Sequence, residues 1–493
     1  MLARLWSAAL AGVEGQPVQV EVDLRPGLPA FDVVGLPGTA VLESRNRVRA
    51  ALRNSGFEMP LGRVTINLAP AGLRKEGPLF DLPMAAGILV AMGVGSPERA
   101  RGHGFLGELG LDGTLRPVSG VLAAAEALKG HVQAVVVPEA NGPEAALAGL
   151  PALAFRHLKE VATFLRGGPA PPPARALASP SQPLGPALER VAGQEGAKRA
   201  LEVAAAGGHA LVMIGPPGVG KTLLASRLGE LLPDLAPEEA YEVTKIHSIA
   251  GLLPPHGGLI RRPPVRAVHP SVGAAALLGG GVPPRPGEVT LAHRGVLFLD
   301  ELPEFPAQVL DGLRQPLETG WIEVSRARYH VRFPARFLLV AAGNPCPCGQ
   351  WGFGECRCSD GQLARYRRRL SGPIKDRVDL WVPVEPPSGK ALFQEPAGET
   401  ERVLARIRAA RERQAQRYGP GGLNATAAVD LHQLAAQPAV RRLVERAMEA
   451  RLISARGAVR LLRVARTLAD LDGSDTLQEE HAAEALQYRR PPW

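Results

Sequence analysis

The chain has 493 residues, more than one hydrophobic core usually holds, so we expect about three domains. With 45% hydrophobic and 21% charged residues the composition is that of an ordinary soluble protein, and the net charge of +9 is compatible with polyanion binding but too small for this length to establish it. The longest apolar stretch, residues 82–95, is shorter than the ~20 residues of a membrane span. No secretory start is recognisable either, so we expect a cytoplasmic protein.

Residues 1–165 combine short strand-like runs with Ala/Leu-rich helical stretches, which predicts an α+β domain. The strand candidates are residues 18–24, 64–68 and 134–138, and the helix candidates are residues 39–54 and 120–128. The following segment, residues 166–188, is too rich in proline to pack into a core. We interpret it as a linker and a domain boundary.

A glycine-rich turn follows the apolar run of residues 211–214. The turn fits the pattern G-x-x-x-x-G-K-[ST], in which backbone N–H groups surround phosphates and the next helix directs its positive end at them. Lys221 is predicted to hold the β- and γ-phosphates of ATP, and Thr222 to place its hydroxyl on Mg²⁺. The predicted nucleotide-binding residues of this Walker A turn are Gly215, Pro216, Pro217, Gly218, Val219, Gly220, Lys221 and Thr222.

A second apolar run, residues 295–299, ends in two carboxylates, Asp300 and Glu301. The run is too short for most helices and is typical of a buried parallel strand. Downstream of a P-loop it is interpreted as a Walker B strand, in which Asp300 holds Mg²⁺ through its water shell and Glu301 polarises the attacking water as general base. A third run of the same kind, residues 337–343, ends in Asn344.

The stretch between the two Walker motifs, residues 242–287, is long and rich in glycine and proline. It contains Arg266 and His269 within a Val-Arg-Ala-Val-His-Pro phrase. For these two residues a structural loop and a contact to the substrate are alternatives that the residues alone leave open.

Two alternating runs, residues 320–325 and 329–333, flank a turn that carries Arg326 and Arg328. The alternation predicts a β-hairpin. The turn arginines are either exposed to solvent or in contact with nucleic-acid phosphates.

All four cysteines of the protein fall within 13 residues, as Cys-x-Cys, seven intervening residues, and Cys-x-Cys. Stable disulfides are not expected in a cytosolic ATPase, and two facing thiolate pairs joined by a Gly-rich turn suit tetrahedral Zn²⁺ in a structural role. Because the spacing differs from the commoner C-x₂-C, reduced structural thiols and an iron–sulfur site are alternatives. The predicted zinc ligands are Cys346, Cys348, Cys356 and Cys358.

The C-terminal part of the chain is rich in arginine and helical in pattern. Residues 365–369 are an arginine cluster that is either a solvent-exposed helix face or a second contact to DNA or to a neighbouring subunit. Residues 399–488 show apolar side chains at i, i+3 and i+4, interrupted at 419–422 and Gly473, which predicts several helices.

Together these motifs resemble the Mg-chelatase-like AAA+ ATPases, and within them the ComM/YifB-type branch, over nearly the whole chain. The resemblance implies an α/β fold: a Lon-protease-like α+β domain at 1–165, an AAA+ P-loop core with a parallel sheet, a helix-2 insert and the four-cysteine loop at 189–390, and a helical lid at 391–493. Lon-type proteolysis needs a serine where this chain has residues 77–80 and a lysine where it has residues 121–122. Neither is present, so no peptidase activity is expected.

The resemblance also implies roles for single residues. Asn344 would lie on sensor 1 and help to orient the attacking water. Arg377 matches the arginine finger that enters the neighbouring subunit's site, and Arg456 falls on the phosphate-sensing position of the sensor-2 helix. The stretch 242–287 would include an insertion that projects into the central channel of a ring, and the hairpin arginines would contact DNA.

The function implied is that of a homo-hexameric, ATP-driven motor on single-stranded or branched DNA, a helicase associated with branch migration during recombination in natural transformation. Its cofactors would be ATP, Mg²⁺ and a structural Zn²⁺. The alternative is a chelatase-type AAA+ protein remodeller that reshapes a partner inserting a metal into a tetrapyrrole. The Lon-like domain and the four-cysteine insert favour the DNA motor, and the chain has no Asp-x-Ser-x-Ser adhesion motif. An ATP-dependent protease is opposed by the missing Ser/Lys pair.

Overall fold

The computed structural model describes most of the chain, without the side chains of Arg326, Leu431 and His432; the described residues are 2–177, 185, 187–254, 258–326, 329–369, 375–389, 398–428 and 430–489. They form a seven-stranded mixed sheet, a five-stranded parallel sheet and a C-terminal group of helices. The predicted α/β class with a parallel sheet is therefore confirmed. None of the helices in the described ranges is both long and apolar enough to cross a membrane.

The first sheet and its helices are built by residues 2–165. The elements are β1 (Leu2–Ala11), β2 (Glu14–Arg25), β3 (Ala30–Val34), α1 (Thr39–Asn54), β4 (Arg63–Ala69), α2 (Asp81–Ala91), α3 (Pro97–Arg101), β5 (His103–Phe105), β6 (Glu108–Leu109), β7 (Leu115–Arg116), α4 (Val121–Ala127), β8 (Ala134–Pro138), α5 (Gly142–Ala146), β9 (Ala152–Phe155) and α6 (Leu158–Leu165). The strand order is β3-β4-β2-β1-β5-β8-β9. All five elements predicted here are confirmed.

Strand β2 shows why this sequence forms a sheet. Val18, Val20 and Val22 are buried, whereas the residues between them are half-buried, the alternation of a strand with one face on the core. Helix α2 covers that face, and every one of its residues is buried. The buried carboxylate of Asp81 lies 2.7 Å from Arg47 Nε, so its charge is compensated.

The second sheet and its helices occupy residues 195–383. The elements are α7 (Glu195–Gly207), β10 (Leu211–Ile214), α8 (Lys221–Leu231), α9 (Pro237–Ile249), β11 (Val265–Val268), α10 (Ala274–Leu278), α11 (Glu288–Leu291), β12 (Val296–Leu299), α12 (Ala307–Gly312), α13 (Arg314–Thr319), β13 (Trp321–Arg326), β14 (Tyr329–Pro334), β15 (Leu338–Gly343), α14 (Asp360–Arg369) and β16 (Leu380–Pro383).

The five strands of this sheet are all parallel, in the order β11-β12-β15-β10-β16. Strands β10, β12 and β15 are buried along their whole length, as expected when helices cover both faces. Because the strands run in one direction, their carboxyl ends share one edge, where open α/β sheets bind ligands. Strands β13 and β14 form a separate antiparallel hairpin, as predicted.

The stretch 242–287 contains regular secondary structure as well as loops. It contains the end of α9 and strand β11, which pairs in register with β12. Strand β11 is at the edge of the sheet and only Val268 is buried. The guanidinium of Arg266 within it makes a bidentate ion pair with Glu288, at 2.6 and 2.9 Å. Between α10 and α11, residues 279–287 form a tight loop in which Val282 is 73% exposed.

The C-terminal helices are α15 (Glu399–Tyr418), α16 (Leu431–Leu434), α17 (Pro438–Glu449), α18 (Ala455–Leu471) and α19 (Glu479–Gln487). Their apolar faces form one core with α7 and α8. Asp470 is fully buried and is paired with Arg417 at 2.7 Å and Arg466 at 2.9 Å. The helices are where the sequence predicts them; their role as a lid, the exact domain boundaries and the Lon-like character of the first domain stay predictions.

The first domain contacts helix α9 of the second through charged side chains. Lys245 Nζ lies 2.8 Å from Glu14 and 3.2 Å from Glu126. The buried carboxylate of Glu144 accepts hydrogen bonds from the Ser248 hydroxyl and, at 2.9 Å, from the Leu122 N–H. Burial raises the pKa of Glu144. Polar contacts therefore join the two sheets; those of Glu144 and Ser248 are buried, whereas Glu14 is largely exposed.

Candidate functional site

The predicted P-loop leads from β10 into α8 at the carboxyl edge of the parallel sheet. Gly218 and Gly220 have φ angles of 81° and 92°, in the left-handed region that side chains rarely adopt, although a Cβ at either position would have no neighbour within 4 Å. The backbone conformation of the turn, and not a lack of space for a side chain, therefore requires glycine at both positions. Helix α8 begins at Lys221, so its unpaired N–H groups lie directly after the glycine turn, where an anion can bind.

Lys221 lies under this turn and bonds to neutral oxygens. Its Nζ donates to the carbonyls of Gly215 and Pro216, both at 2.7 Å, and to Oδ1 of Asn344 at 3.1 Å. Burial lowers the pKa of Lys221, while nearby carboxylates raise it. The ammonium can exchange these oxygens for those of a phosphate, a stronger charge-assisted partner.

Thr222 and Asp300 meet although they are 78 residues apart in the chain: Thr222 Oγ1 donates to Asp300 Oδ2 at 2.9 Å. The other carboxylate oxygen of Asp300 accepts the Glu301 N–H at 2.9 Å. A hydroxyl and a carboxylate at one point are the hard oxygen donors that Mg²⁺ takes beside waters and phosphates. The donor set therefore fits the predicted Mg²⁺.

Glu301 leaves the end of β12 with an unusual backbone. Its φ is 51°, a conformation that costs energy for a residue with a side chain and is concentrated at functional sites. Its Oε2 lies 3.5 Å from Nε2 of His269, which follows β11. The structure thus brings together Lys221, Thr222, Asp300, Asn344 and Glu301 at one edge, and adds His269, whose role the sequence left open.

The four cysteines converge at a single point. Their Sγ atoms all lie within 4.8 Å of one another, and Cys346 Sγ is 3.3 Å from Cys348 Sγ and 3.8 Å from Cys356 Sγ. A tetrahedron with Zn–S bonds of about 2.3 Å has S···S edges of about 3.8 Å, so these distances fit one tetrahedral ion. In an iron–sulfur cluster, iron and sulfide atoms lie between the cysteine sulfurs, which are therefore further apart. Backbone N–H groups of Arg357 and Gln350 lower the pKa of Cys348 to about 6, whereas burial and the neighbouring thiols raise the pKa of Cys356 and of Cys358.

The cysteine loop packs directly on the P-loop. A Cβ at Gly349 would lie 2.6 Å from Pro217 Cδ, so only glycine permits this approach. On the other side the buried Tyr366 donates its hydroxyl to the carbonyl of Asn344 at 3.2 Å. The loop is therefore held between the nucleotide turn and α14, a position that its sequence spacing did not indicate.

Three known protein families match different parts of the chain. The family described as magnesium chelatase, subunit ChlI, matches residues 187–392, with further matches to subunit ChlI of Mg-chelatase at residues 20–141 and to its C-terminal part at 397–489. The uncharacterized protein YifB of Escherichia coli K12 is 42% identical over 99% of this chain and 97% of its own. An uncharacterized protein of Mycobacterium tuberculosis H37Rv is 43% identical over 99% of both chains, and the competence protein ComM of Haemophilus influenzae is 42% identical over 99% and 97%.

The chain belongs to the YifB/ComM-type, magnesium-chelatase-like family. This confirms the resemblance stated from the motifs. Membership suggests ATPase activity, and the P-loop geometry of this YifB/ComM-type chain agrees with that. The assignment of individual site residues stays a prediction.

Two arginines that the family pattern singles out lie apart from the P-loop contacts. Arg377, before β16, is in close ion contact with Glu318 and its side chain is only 14% exposed. Arg456 is exposed in the first turn of α18. The hydrogen bonds and ion pairs described for the P-loop side chains of this chain involve neither arginine.

Arg460 was missed by the sequence analysis. One turn after Arg456 on α18, it donates to the carbonyl of Arg377 at 2.9 Å and is ion-paired with the buried Asp379. It thus ties the C-terminal helices to the segment that carries the predicted arginine finger. The i, i+4 spacing from Arg456 was the available signal.

The basic hairpin and the arginine cluster are only partly described. Arg326 ends β13, but its side chain and all of Arg328 lie outside the described residues. In the cluster, Arg367 stacks on Trp351 of the cysteine loop, 4.3 Å from the ring centroid, and Arg369 is ion-paired with Glu304. For these two cluster arginines the structure provides partners within the chain.

The thiol geometry makes a direct prediction about metal content. We expect one zinc per chain by elemental analysis, and loss of zinc in Cys348→Ser, because three thiolates cannot close the tetrahedron. Since the loop packs on Pro217, the same variant should also bind ATP more weakly. Glu355→Gln, an exposed change within the same loop, is the control and should keep its zinc. Protein without zinc, or with iron and visible absorption, would contradict the assignment.

Proposed function

We propose that this protein is an ATP-hydrolysing ring motor that acts on DNA, of the helicase or branch-migration type. The ATPase activity is proposed because Lys221, Thr222, Asp300 and Asn344 lie together at the carboxyl edge of the parallel sheet. The DNA half is supported by the relative named competence protein ComM, by the arginine-bearing hairpin and by the positive net charge.

Each side chain of the site has a distinct task in this proposal. Lys221 and the P-loop N–H groups bind the phosphates and orient the γ-phosphoryl group. Thr222 and Asp300 provide the oxygens for Mg²⁺, which when bound neutralises phosphate charge. Glu301 accepts the proton of the attacking water, and Asn344, already hydrogen-bonded to Lys221, orients that water.

The predicted arginine finger supports the proposal of a ring. Arg377 is ion-paired with Glu318, a residue outside the P-loop of its own subunit, so it would serve a neighbour, as finger residues supplied in trans do. Helices α15–α19 would act as the lid, with Arg456 sensing the phosphate. The Lon-like first domain, which lacks the Ser/Lys pair, would have a structural role through its contacts to α9.

The second candidate is a chelatase-type remodeller. It is favoured by the descriptions of the three matching families, all of which name magnesium chelatase. Such an ATPase acts on a protein partner, and this chain has no Asp-x-Ser-x-Ser motif, so the partner would have to supply it.

The deciding experiment measures ATP hydrolysis with no DNA and with single-stranded, duplex and four-way DNA. We expect stimulation by single-stranded or branched DNA, because phosphate contacts at the hairpin would couple to the site. Lys221→Ala is the inactive control. Stimulation by a chelatase-type protein partner and by none of the DNAs would overturn the proposal in favour of the remodeller.

The hairpin can be tested in the same assay. Arg326→Ala combined with Arg328→Ala should keep basal hydrolysis but lose DNA stimulation, and the salt dependence of DNA binding should fall by roughly one unit of log–log slope per phosphate contact removed. Arg441→Ala with Arg442→Ala is the matched control, since it removes the same charge from an exposed face of α17. An equal loss in both double variants would mean that general charge, and not the hairpin, binds DNA.

A further inference from the structure

The hairpin formed by β13 and β14 has one covered face. Along β14 the side chains of Tyr329 and Val331 are half-buried and Phe333 is buried, whereas His330 and Arg332 between them are exposed. This alternation is that of a strand with one face against other parts of the protein. An isolated two-stranded hairpin is only marginally stable in water, so the surface that covers this face determines where the hairpin lies.

The middle of the hairpin is covered by the turn between β1 and β2 of the first domain. Val13 of that turn belongs to the same buried core as Val324 and Phe333 of the hairpin. Gly12 has a φ of 67° and approaches Val331 so closely that a Cβ would lie 2.6 Å from its Cγ1. The first domain therefore supports the hairpin through an apolar contact.

Nearer to the hairpin turn, the first domain also makes a polar contact to Tyr329. The Tyr329 hydroxyl donates to Glu76 Oε1 at 2.8 Å, and the guanidinium of Arg74 lies 5.6 Å from the centroid of the Tyr329 ring. Arg74 and Glu76 are ion-paired with each other. Because Tyr329 is paired with Arg326 in the hairpin, this contact lies beside the turn that carries the two arginines proposed to bind DNA.

The loop that contacts Tyr329 is anchored within the first domain by Lys75. This residue is fully buried, and its ammonium donates to the carbonyl of Gly35 at 2.9 Å and to the carbonyl of Pro70. The backbone N–H of Lys75 donates to the carbonyl of Leu36 at 3.2 Å. A loop fixed in this way can hold a side chain of the hairpin at one place.

We propose that Tyr329 and Glu76 are positioning residues through which the first domain sets the direction of the hairpin, so that its turn arginines can meet DNA. Without such a contact the end of a two-stranded hairpin would adopt many directions, and ordering it on binding would cost free energy. The contact orders it in advance. This inference rests on the proposed function only in naming DNA as the ligand.

The test combines two measurements on the full chain: hydrogen exchange of residues 321–334 without DNA, and DNA affinity at one fixed salt concentration. Tyr329→Phe removes only the hydroxyl. It should speed exchange in the hairpin and weaken DNA binding about two- to tenfold, the equivalent of one net hydrogen bond. Glu139→Gln is the control, since it removes a carboxylate from an exposed ion pair with Arg156 within the first domain, and it should behave as the parent.

Two variants of Glu76 separate the hydrogen bond from the charge. Glu76→Ala and Glu76→Gln remove the same negative charge, but the glutamine keeps an oxygen that can accept the Tyr329 hydroxyl. The alanine variant should therefore exchange faster and bind DNA more weakly than the glutamine variant. Tyr329→Phe combined with Glu76→Ala should be no weaker than Glu76→Ala alone, because the two changes remove one shared hydrogen bond.

The sign of the Glu76 effect is diagnostic. If this carboxylate acted only by repelling DNA, both Glu76 variants would bind DNA more tightly than the parent, and the proposal would be overturned. Unchanged hairpin exchange in Tyr329→Phe and Glu76→Ala would overturn it as well. If the parent binds none of the DNAs while both variants still speed exchange, the first domain holds the hairpin and the DNA function fails.

Discussion

Glu301→Gln is expected to bind ATP as the parent does and to lose turnover, whereas Lys221→Ala is expected to lose binding. The glutamine keeps the shape of the side chain but cannot accept a proton, and general bases contribute ~10²–10⁴-fold to rate. Lys221→Ala removes charge-assisted hydrogen bonds to phosphate worth about 1.5–3 kcal/mol each. It also removes the hydrogen bonds that Lys221 donates to the carbonyls of Gly215 and Pro216. Binding of a fluorescent ATP analogue and release of phosphate separate the two effects.

The control for this pair is Glu304→Gln. Its carboxylate lies three residues beyond the predicted base and is occupied by Arg369, so its loss should leave turnover close to that of the parent. Equal loss of ATP binding in Glu301→Gln and Lys221→Ala would refute the division of roles.

Arg377→Ala is expected to bind ATP and to assemble, yet to hydrolyse ~10³-fold or more slowly, as when an arginine finger is lost in other phosphoryl-transfer systems. The structure adds a condition. Arg377 is ion-paired with Glu318 of its own chain, so it must leave that partner to enter a neighbouring site. Glu318→Gln keeps the guanidinium while weakening its restraint, and should hydrolyse at least as fast as the parent.

Mixed rings test whether the finger acts across the subunit interface. Subunits with Arg377→Ala or Lys221→Ala are each inactive alone. In a ring that contains both, the Lys221→Ala subunit provides an intact arginine finger to the intact nucleotide pocket of the Arg377→Ala subunit. Partial recovery of hydrolysis is expected. Rings that remain inactive although subunit exchange is demonstrated would remove Arg377 from the catalytic site and with it the proposed ring mechanism.

The sequence predicted an element well where its residue types strongly favour one local structure. Alternating Val residues in β2 and the glycine turn after β10 could each be identified without neighbours. Strand β11 was not identified from the sequence because it lies at the edge of the sheet with only Val268 buried, and because it includes Arg266, whose partner Glu288 lies 22 residues away. The equally short β10 and β12 were identified because all of their residues are apolar and buried, whereas an edge strand with one buried residue shows no such run.

The sequence by itself determined the chemistry that depends on residue type and close spacing: a phosphate-binding turn, two carboxylates after a buried strand and four thiols within 13 residues. Only the tertiary structure decided how these parts meet. It placed the cysteine loop against Pro217, joined Arg460 to the Arg377 segment and brought His269 within 3.5 Å of Glu301. Such contacts depend on the order of parallel strands and on residues far apart in the chain, and no local pattern encodes that order.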